Sequence, residues 1–312
     1  MRKLGLGAAL CWLTACAGAG EAPAGLSMAQ PAVSPADLPS FFDCLREKGA
    51  TIVSAHRGGP APGYPENALE TLQRTAGLAP VALEIDINRT KDGVLVLLHD
   101  DTLDRTTTGT GRISDLTFAE LANVRLEDAS GMATPYGVPT LAEALDWARG
   151  RALLQLDVKR GVPFEDVVAA VRKAGAQENA LVITYNARDA ARVNALDPGL
   201  YLSASARSAA DLAALREAGV SLVSVGGWTG TNNPDPAVFT ELARQGVESK
   251  FGTLGRPGQR LDDVYAAEGG AGWVRLAEAG VQLIASDRPL EAFAALDAAD
   301  GVGVKWAGCL TA

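Results

Sequence analysis

Between residues 51 and 296 the chain alternates short apolar runs with amphipathic stretches of helical period. The runs Thr51–Ala55, Val81–Asn88, Leu153–Val158, Leu181–Thr184, Leu200–Ser203, Leu222–Val225, Val247–Phe251 and Val281–Ala285 have the length and composition of buried strands. Helical spacing occupies Asn67–Ala76, Phe164–Ala174, Ala187–Leu196, Ala209–Ala218, Pro236–Gln245 and Asp262–Ala279. Gly77, Gly175, Gly219, Gly246 and Gly280 each fall just past the last apolar residue of such a stretch, the usual helix-ending position. The strand–helix units predict an α/β fold, a (β/α)8 TIM barrel within a domain at 41–312. An open doubly wound sheet is the alternative, but no Gly-x-Gly-x-x-Gly follows the first strand to favour it.

One run breaks the alternation. Val94–Leu98 follows the second strand after only Thr90-Lys91-Asp92-Gly93. Asp-Gly between two apolar runs signals a hairpin, and so short a connection requires antiparallel pairing. A β-hairpin therefore follows the second strand, and a Thr- and Gly-rich insertion at 100–140 precedes the helix starting near Thr140. With Asp92-Gly93 as a two-residue turn, Lys91 pairs with Val94 and His99 falls opposite Asp86. Glu84 and Asp86 are two apart, so their carboxylates share one strand face. Inside a barrel the two cannot both ionise without compensation, and a hard divalent cation with oxygen ligands, Mg²⁺ or Ca²⁺, would supply it; facing solvent, they would need none. Asp157 and Lys159 share a face in the same way, either as a third ligand with a phosphate contact or as an ion pair at a strand end. His56-Arg57-Gly58-Gly59 follows the first strand, at the barrel end where active sites form, and Arg57 offers a fork for phosphate oxygens.

Composition narrows the classes. A chain of 312 residues with 47% hydrophobic and 21% charged residues is neither disordered nor a coiled coil. With 28 basic residues against 37 acidic, a net charge of −9 and no basic run, it is no nucleic-acid binder. Two histidines in the whole chain exclude a His-rich zinc or copper centre.

The N-terminus reads as an export signal, not fold. Arg2-Lys3 precedes an apolar run from Leu4 to Leu13, shorter than the about 20 residues a membrane helix needs. Leu13-Thr14-Ala15-Cys16 resembles the lipobox of bacterial lipoproteins, which implies a signal peptide at 1–16, lipidation of Cys16 and a membrane anchor. Ala17 resembles an outer-membrane sorting residue, placing the protein on the periplasmic side of the outer membrane, with a soluble periplasmic or secreted form as the alternative. Residues 17–40, rich in Gly, Ala, Pro and Ser, read as a tether. Once Cys11 and Cys16 are set aside, Cys44 and Cys309 remain, either as a disulfide or as two free thiols.

In order along the chain, His56-Arg57-Gly58, Pro65-Glu66-Asn67, Glu84-x-Asp86, Thr90-Lys91-Asp92-Gly93, His99-Asp100, Leu103-x-Arg105-Thr106-Thr107, Pro139-Thr140-Leu141, Asp157-Val158-Lys159 and Ser286-Asp287-Arg288-Pro289 resemble the glycerophosphodiester phosphodiesterase family. The resemblance implies a metal-dependent TIM-barrel enzyme that hydrolyses glycerophosphodiesters to an alcohol and glycerol 3-phosphate. It further implies His56 and His99 as the general acid/base pair, Arg57 and Lys159 as phosphate contacts, and Glu84, Asp86 and Asp157 as ligands of Ca²⁺ or Mg²⁺. Asp157 stands where the family usually has Glu, Ala68 where it usually has Thr, and Lys250-Phe251-Gly252-Thr253 where it is rich in aromatics. Trp228 is either a substitute aromatic wall or a packing residue. Two other readings accompany this one: a phospholipase D-like enzyme on lysophospholipid or sphingolipid head groups, and a non-catalytic phosphodiester-binding lipoprotein.

Overall fold

The computed structural model describes residues 37–310, so the signal, Cys16 and the tether up to residue 36 lie outside the described residues. The strands are β1 (Ile52–Ala55), β2 (Ala82–Arg89), β3 (Leu95–Leu97), β4 (Leu154–Val158), β5 (Ala180–Thr184), β6 (Leu202–Ser205), β7 (Val225–Thr231), β8 (Glu248–Gly252) and β9 (Leu283–Ser286). All but β3 are parallel to their neighbours, and pairing of β1 with both β2 and β9 closes an eight-stranded barrel. The (β/α)8 fold expected from the alternation is the fold observed.

The helices are α1 (Leu38–Glu47), α2 (Leu69–Leu78), α3 (Leu141–Ala148), α4 (Phe164–Ala174), α5 (Ala187–Leu196), α6 (Ala209–Glu217), α7 (Pro236–Arg244), α8 (Leu261–Ala267), α9 (Ala271–Glu278), α10 (Pro289–Asp300) and α11 (Val302–Leu310). Among the described residues no helix is long and apolar enough to cross a membrane. Stretches read as one helix over Asp262–Ala279 are two, because Gly269 and Gly270 both adopt positive φ and turn the chain between α8 and α9. The strand expected at Leu222–Val225 begins only at Val225; Leu222–Ser224 form a 3-10 turn before it.

The tether is shorter than its expected end at residue 40. Asp37 accepts the Ser40 amide and caps α1, and Pro39 suits the helix start. That helix buries Phe41, Phe42 and Leu45 against the barrel's N-terminal end. Phe42 stacks on Tyr201, just before β6, with ring centroids 4.6 Å apart, and Phe41 meets Trp306 of α11 edge-on. A disulfide joins Cys44 of α1 to Cys309 of α11, with Cα atoms 5.7 Å apart.

The hairpin ladder differs by one residue from the expected pairing. Ile87 faces Leu97, Asn88 faces Val96 and Arg89 faces Leu95. The turn holds three residues, not two: Thr90 and Val94 pair through the Thr90 amide, and Gly93 takes φ +86°. His99 is therefore not opposite Asp86. β3 ends at Leu97, so strict alternation no longer governs His99, and its orientation is set by contacts beyond the strand. The insertion at 100–140 builds a second small core from Val96, Leu98, Leu103, Ile113, Leu121 and Leu126, with Ala68 buried in it. Thr140 and Glu143 form a capping box that starts α3.

Candidate active site

The site lies at the C-terminal ends of the barrel strands. At the end of β1 the chain makes a tight turn through His56, Arg57 and Gly58, with Arg57 itself left-handed at φ +51°. A Cβ on Gly58 would lie 2.4 Å from Leu72 Cδ2, so only glycine lets the turn sit down on α2. This turn aims the Arg57 amide at Glu84, to which it donates at 2.7 Å. A strained non-glycine backbone at this position is maintained by that bond and by Asn67, whose amide donates to the Arg57 carbonyl.

Glu84, Asp86 and Asp157 converge: one carboxylate oxygen from each lies within 4.8 Å of the others, and all three side chains are buried. Parallel pairing of β2 with β4 sets Asp86 directly beside Asp157. Lys159 Nζ bridges them, 2.5 Å from Asp86 Oδ1 and 2.6 Å from Asp157 Oδ2. Arg57 Nε stands 3.8 Å from Asp86 Oδ2. Burial, then the Asp86 charge, push the Glu84 carboxyl well above the usual carboxylate range. Burial works the same way on Asp86, but the Lys159 and His99 charges and the Asn67 bond hold it below that range. Burial would lower the Lys159 ammonium; Asp86 and Asp157 outweigh it and raise it. Three buried carboxylates face the Lys159 ammonium and an Arg57 guanidinium shared with Glu66, so full ionisation of the triad leaves negative charge to neutralise, and an all-oxygen donor set fits a hard divalent cation.

Both histidines reach this cluster. The Glu84 charge acts on His56, and the His99 charge acts on Asp86. His56 Nδ1 lies 2.6 Å from Asp287 Oδ1, and His99 Nδ1 lies 2.6 Å from Asp100 Oδ1. Each carboxylate is held by an arginine: Asp287 by Arg260 at 2.8 Å, Asp100 by Arg105 at 2.6 Å. With Nδ1 donating to a carboxylate, Nε2 of each ring is left for the reacting groups. Burial would lower the His56 pKa, but the Asp287 bond and the Glu84 charge raise it overall. Hydrogen bonds from Arg105 and then from His99 take the Asp100 carboxyl down to about 2, against the effect of burial.

Several site residues had no role assigned from the sequence. Asn67 clamps Asp86 from both sides, donating through Nδ2 to Oδ2 at 2.7 Å and accepting the Asp86 amide at 2.9 Å. Glu66 accepts from Arg57 and from Arg105, tying the β1 turn to the Asp100–His99 pair. Tyr185 donates to Asp157 Oδ1 at 2.7 Å. Glu66, Asn67, Asp100, Arg105 and Asp287 all fall within the motif runs, so the signal was present; nothing local marks Tyr185 or Arg260.

Beside the carboxylates a cavity of about 180 Å³ is lined by His56, Glu84, Asp157, Tyr185, Trp228 and Leu254 among others. Trp228 therefore forms a wall of the site. In the run Lys250–Thr253, Phe251 faces outward onto Phe239 of α7 and leaves the cavity wall to Trp228 and Tyr185.

Comparison with known proteins places this geometry. Residues 56–291 match the model of the glycerophosphoryl diester phosphodiesterase family. The chain belongs to that family. It is 30% identical over 145 residues to a glycerophosphodiester phosphodiesterase of Caldanaerobacter subterraneus subsp. tengcongensis, covering 44% of this chain and 58% of that protein. It is 40% identical over 104 residues to human glycerophosphodiester phosphodiesterase 1, covering 32% of this chain and 31% of that one. Both alignments thus span well under two thirds of those relatives. A crystal structure of a glycerophosphoryl diester phosphodiesterase from Parabacteroides distasonis superposes with a TM-score of 0.78 at 30% identity, covering 86% of this chain and 94% of that one.

Proposed function

We propose that this glycerophosphoryl diester phosphodiesterase family member hydrolyses glycerophosphodiesters to an alcohol and glycerol 3-phosphate. The observation that carries the reading is the convergence of two histidines, each with Nδ1 fixed by a carboxylate, on one buried carboxylate triad. Glu84, Asp86 and Asp157 would hold a divalent cation, Ca²⁺ or Mg²⁺, which when bound withdraws charge from the phosphoryl oxygens.

The remaining steps belong to the chain. A phosphodiester monoanion repels a nucleophile, and Arg57 and Lys159 place positive charge beside its non-bridging oxygens. One histidine Nε2 takes a proton from the attacking oxygen as the new P–O bond forms. The other gives a proton to the departing alcohol oxygen as the old P–O bond breaks. Asp287 and Asp100 hold the two rings in the tautomer this exchange needs and stabilise whichever is protonated.

Chelation tests the metal. Glycerol 3-phosphate release from glycerophosphocholine should fall to background with EDTA and return with Ca²⁺ or Mg²⁺; unchanged activity after exhaustive chelation overturns that part. The run Leu13-Thr14-Ala15-Cys16 supports export as a lipoprotein anchored through Cys16 on the periplasmic face of the outer membrane. Normal membrane retention of a Cys16→Ala protein would overturn it.

A further inference from the structure

At the end of β2 lies a second cavity of about 300 Å³, which shares no lining residue with the one at Trp228. Its walls come from three segments: the end of β2 and the turn after it with Arg89 and Lys91, the insertion with Asp101 and Arg112, and the loop after β4 with Arg160. In a chain of net charge −9 these four cations are gathered by the fold, since no two of them adjoin in sequence. Two carboxylates answer part of the charge: Asp166 lies 3.4 Å from Arg89 and Asp101 lies 3.7 Å from Arg112. Among the described residues, Lys91 and Arg160 make no salt bridge or side-chain hydrogen bond, although the Lys91 charge acts on Glu120. The pocket therefore carries uncompensated positive charge, which is what an anion site requires.

The segments that line this cavity also carry residues of the reaction centre. Asn88 on its floor is two residues past Asp86 on the same strand face, about 7 Å further along. Arg160 adjoins Lys159, and Asp101 follows His99 by two residues. Asn88 Nδ2 donates to the Asp100 carbonyl, the residue whose side chain orients His99.

Resting on the hydrolase reading above, we propose that this pocket is a second anion subsite, selecting phosphodiesters whose alcohol carries a further phosphate. Lys91 and Arg160 would take that phosphate through charge-assisted hydrogen bonds, with Arg89 and Arg112 completing the field.

A matched pair of probes tests it: glycerophosphoinositol and glycerophosphoinositol 4-phosphate, which differ only in the added phosphate. Binding is measured by calorimetry to the His99→Ala protein, with and without K91A/R160A. The expected result is roughly ten-fold tighter binding of the phosphorylated probe, the worth of one or two charge-assisted contacts, abolished in K91A/R160A. Turnover of glycerophosphocholine by the enzyme carrying only K91A/R160A should stay within about two-fold of the unsubstituted enzyme. Equal affinities for the two probes, or a preference that survives K91A/R160A, overturns the subsite. Failure of the unsubstituted enzyme to cleave any of these diesters would overturn the hydrolase reading instead, because the affinity comparison is read without turnover.

Discussion

Nδ1 of His56 lies 2.6 Å from Oδ1 of Asp287, and that carboxylate is itself held by Arg260 and the Gly255 amide. The two partners come from opposite ends of the domain, brought together because β1 and β9 are neighbours in the closed barrel. Asp287 thereby fixes the ring's orientation and raises its affinity for a proton.

That relationship has a signed consequence. Asp287→Asn removes the charge that raises the His56 pKa, so the limb of the kcat/KM profile governed by His56 should move to lower pH. The sign holds for either role: an acid would lose its proton earlier on the alkaline side, and a base would gain competence earlier on the acid side. Profiles of the two enzymes check this, and a limb that stays in place or moves upward contradicts it.

Lys250 offers a test far from the chemistry. It points into the barrel floor, 1% exposed, with Nζ lacking a hydrogen-bond partner and 5.6 Å from the rings of Phe42 and Tyr201. Burial pushes its pKa down to about 7. An unfolded lysine titrates near 10.4, so the cost to stability is absent above that pH, grows as pH falls and is nearly complete at pH 7. Lys250→Met should therefore stabilise the fold at pH 7 by about 3 kcal/mol, with the gain shrinking toward pH 10. Urea midpoints at the two pH values measure it.

The Cys44–Cys309 bridge closes a separation of 265 residues between α1 and α11. Cys44→Ser should lower the unfolding free energy by about 3 kcal/mol under oxidising conditions. The difference should vanish in reductant, and identical denaturation midpoints in both conditions would contradict it.

The barrel was legible because its strands are continuous apolar runs separated by helices that end at glycine, and these are local signals. The carboxylate triad was legible for the same reason: Glu84 and Asp86 share a strand face, and Asp157 lies on the next parallel strand. What escaped was set by geometry that spacing does not encode. The hairpin register depended on whether Asp92-Gly93 closed a two- or a three-residue loop; only Gly93 takes positive φ and Asp92 does not, which fits the three-residue loop. The role of Asp287 depended on barrel closure, and that of Glu66 on two arginines 48 residues apart meeting at one carboxylate. Helix α1 escaped because its Pro- and Ser-containing start looks like the tether before it; only its burial of Phe41 and Phe42 reveals it as part of the barrel floor.

The most direct test of the account is the rate of glycerol 3-phosphate release from glycerophosphocholine by the full-length protein with Ca²⁺ or Mg²⁺, compared with His56→Ala and His99→Ala. Each substitution should lower kcat by about 10²- to 10⁴-fold while leaving the circular dichroism spectrum and thermal midpoint unchanged. Release by either variant at the rate of the unsubstituted enzyme would contradict the two-histidine assignment on which the account stands.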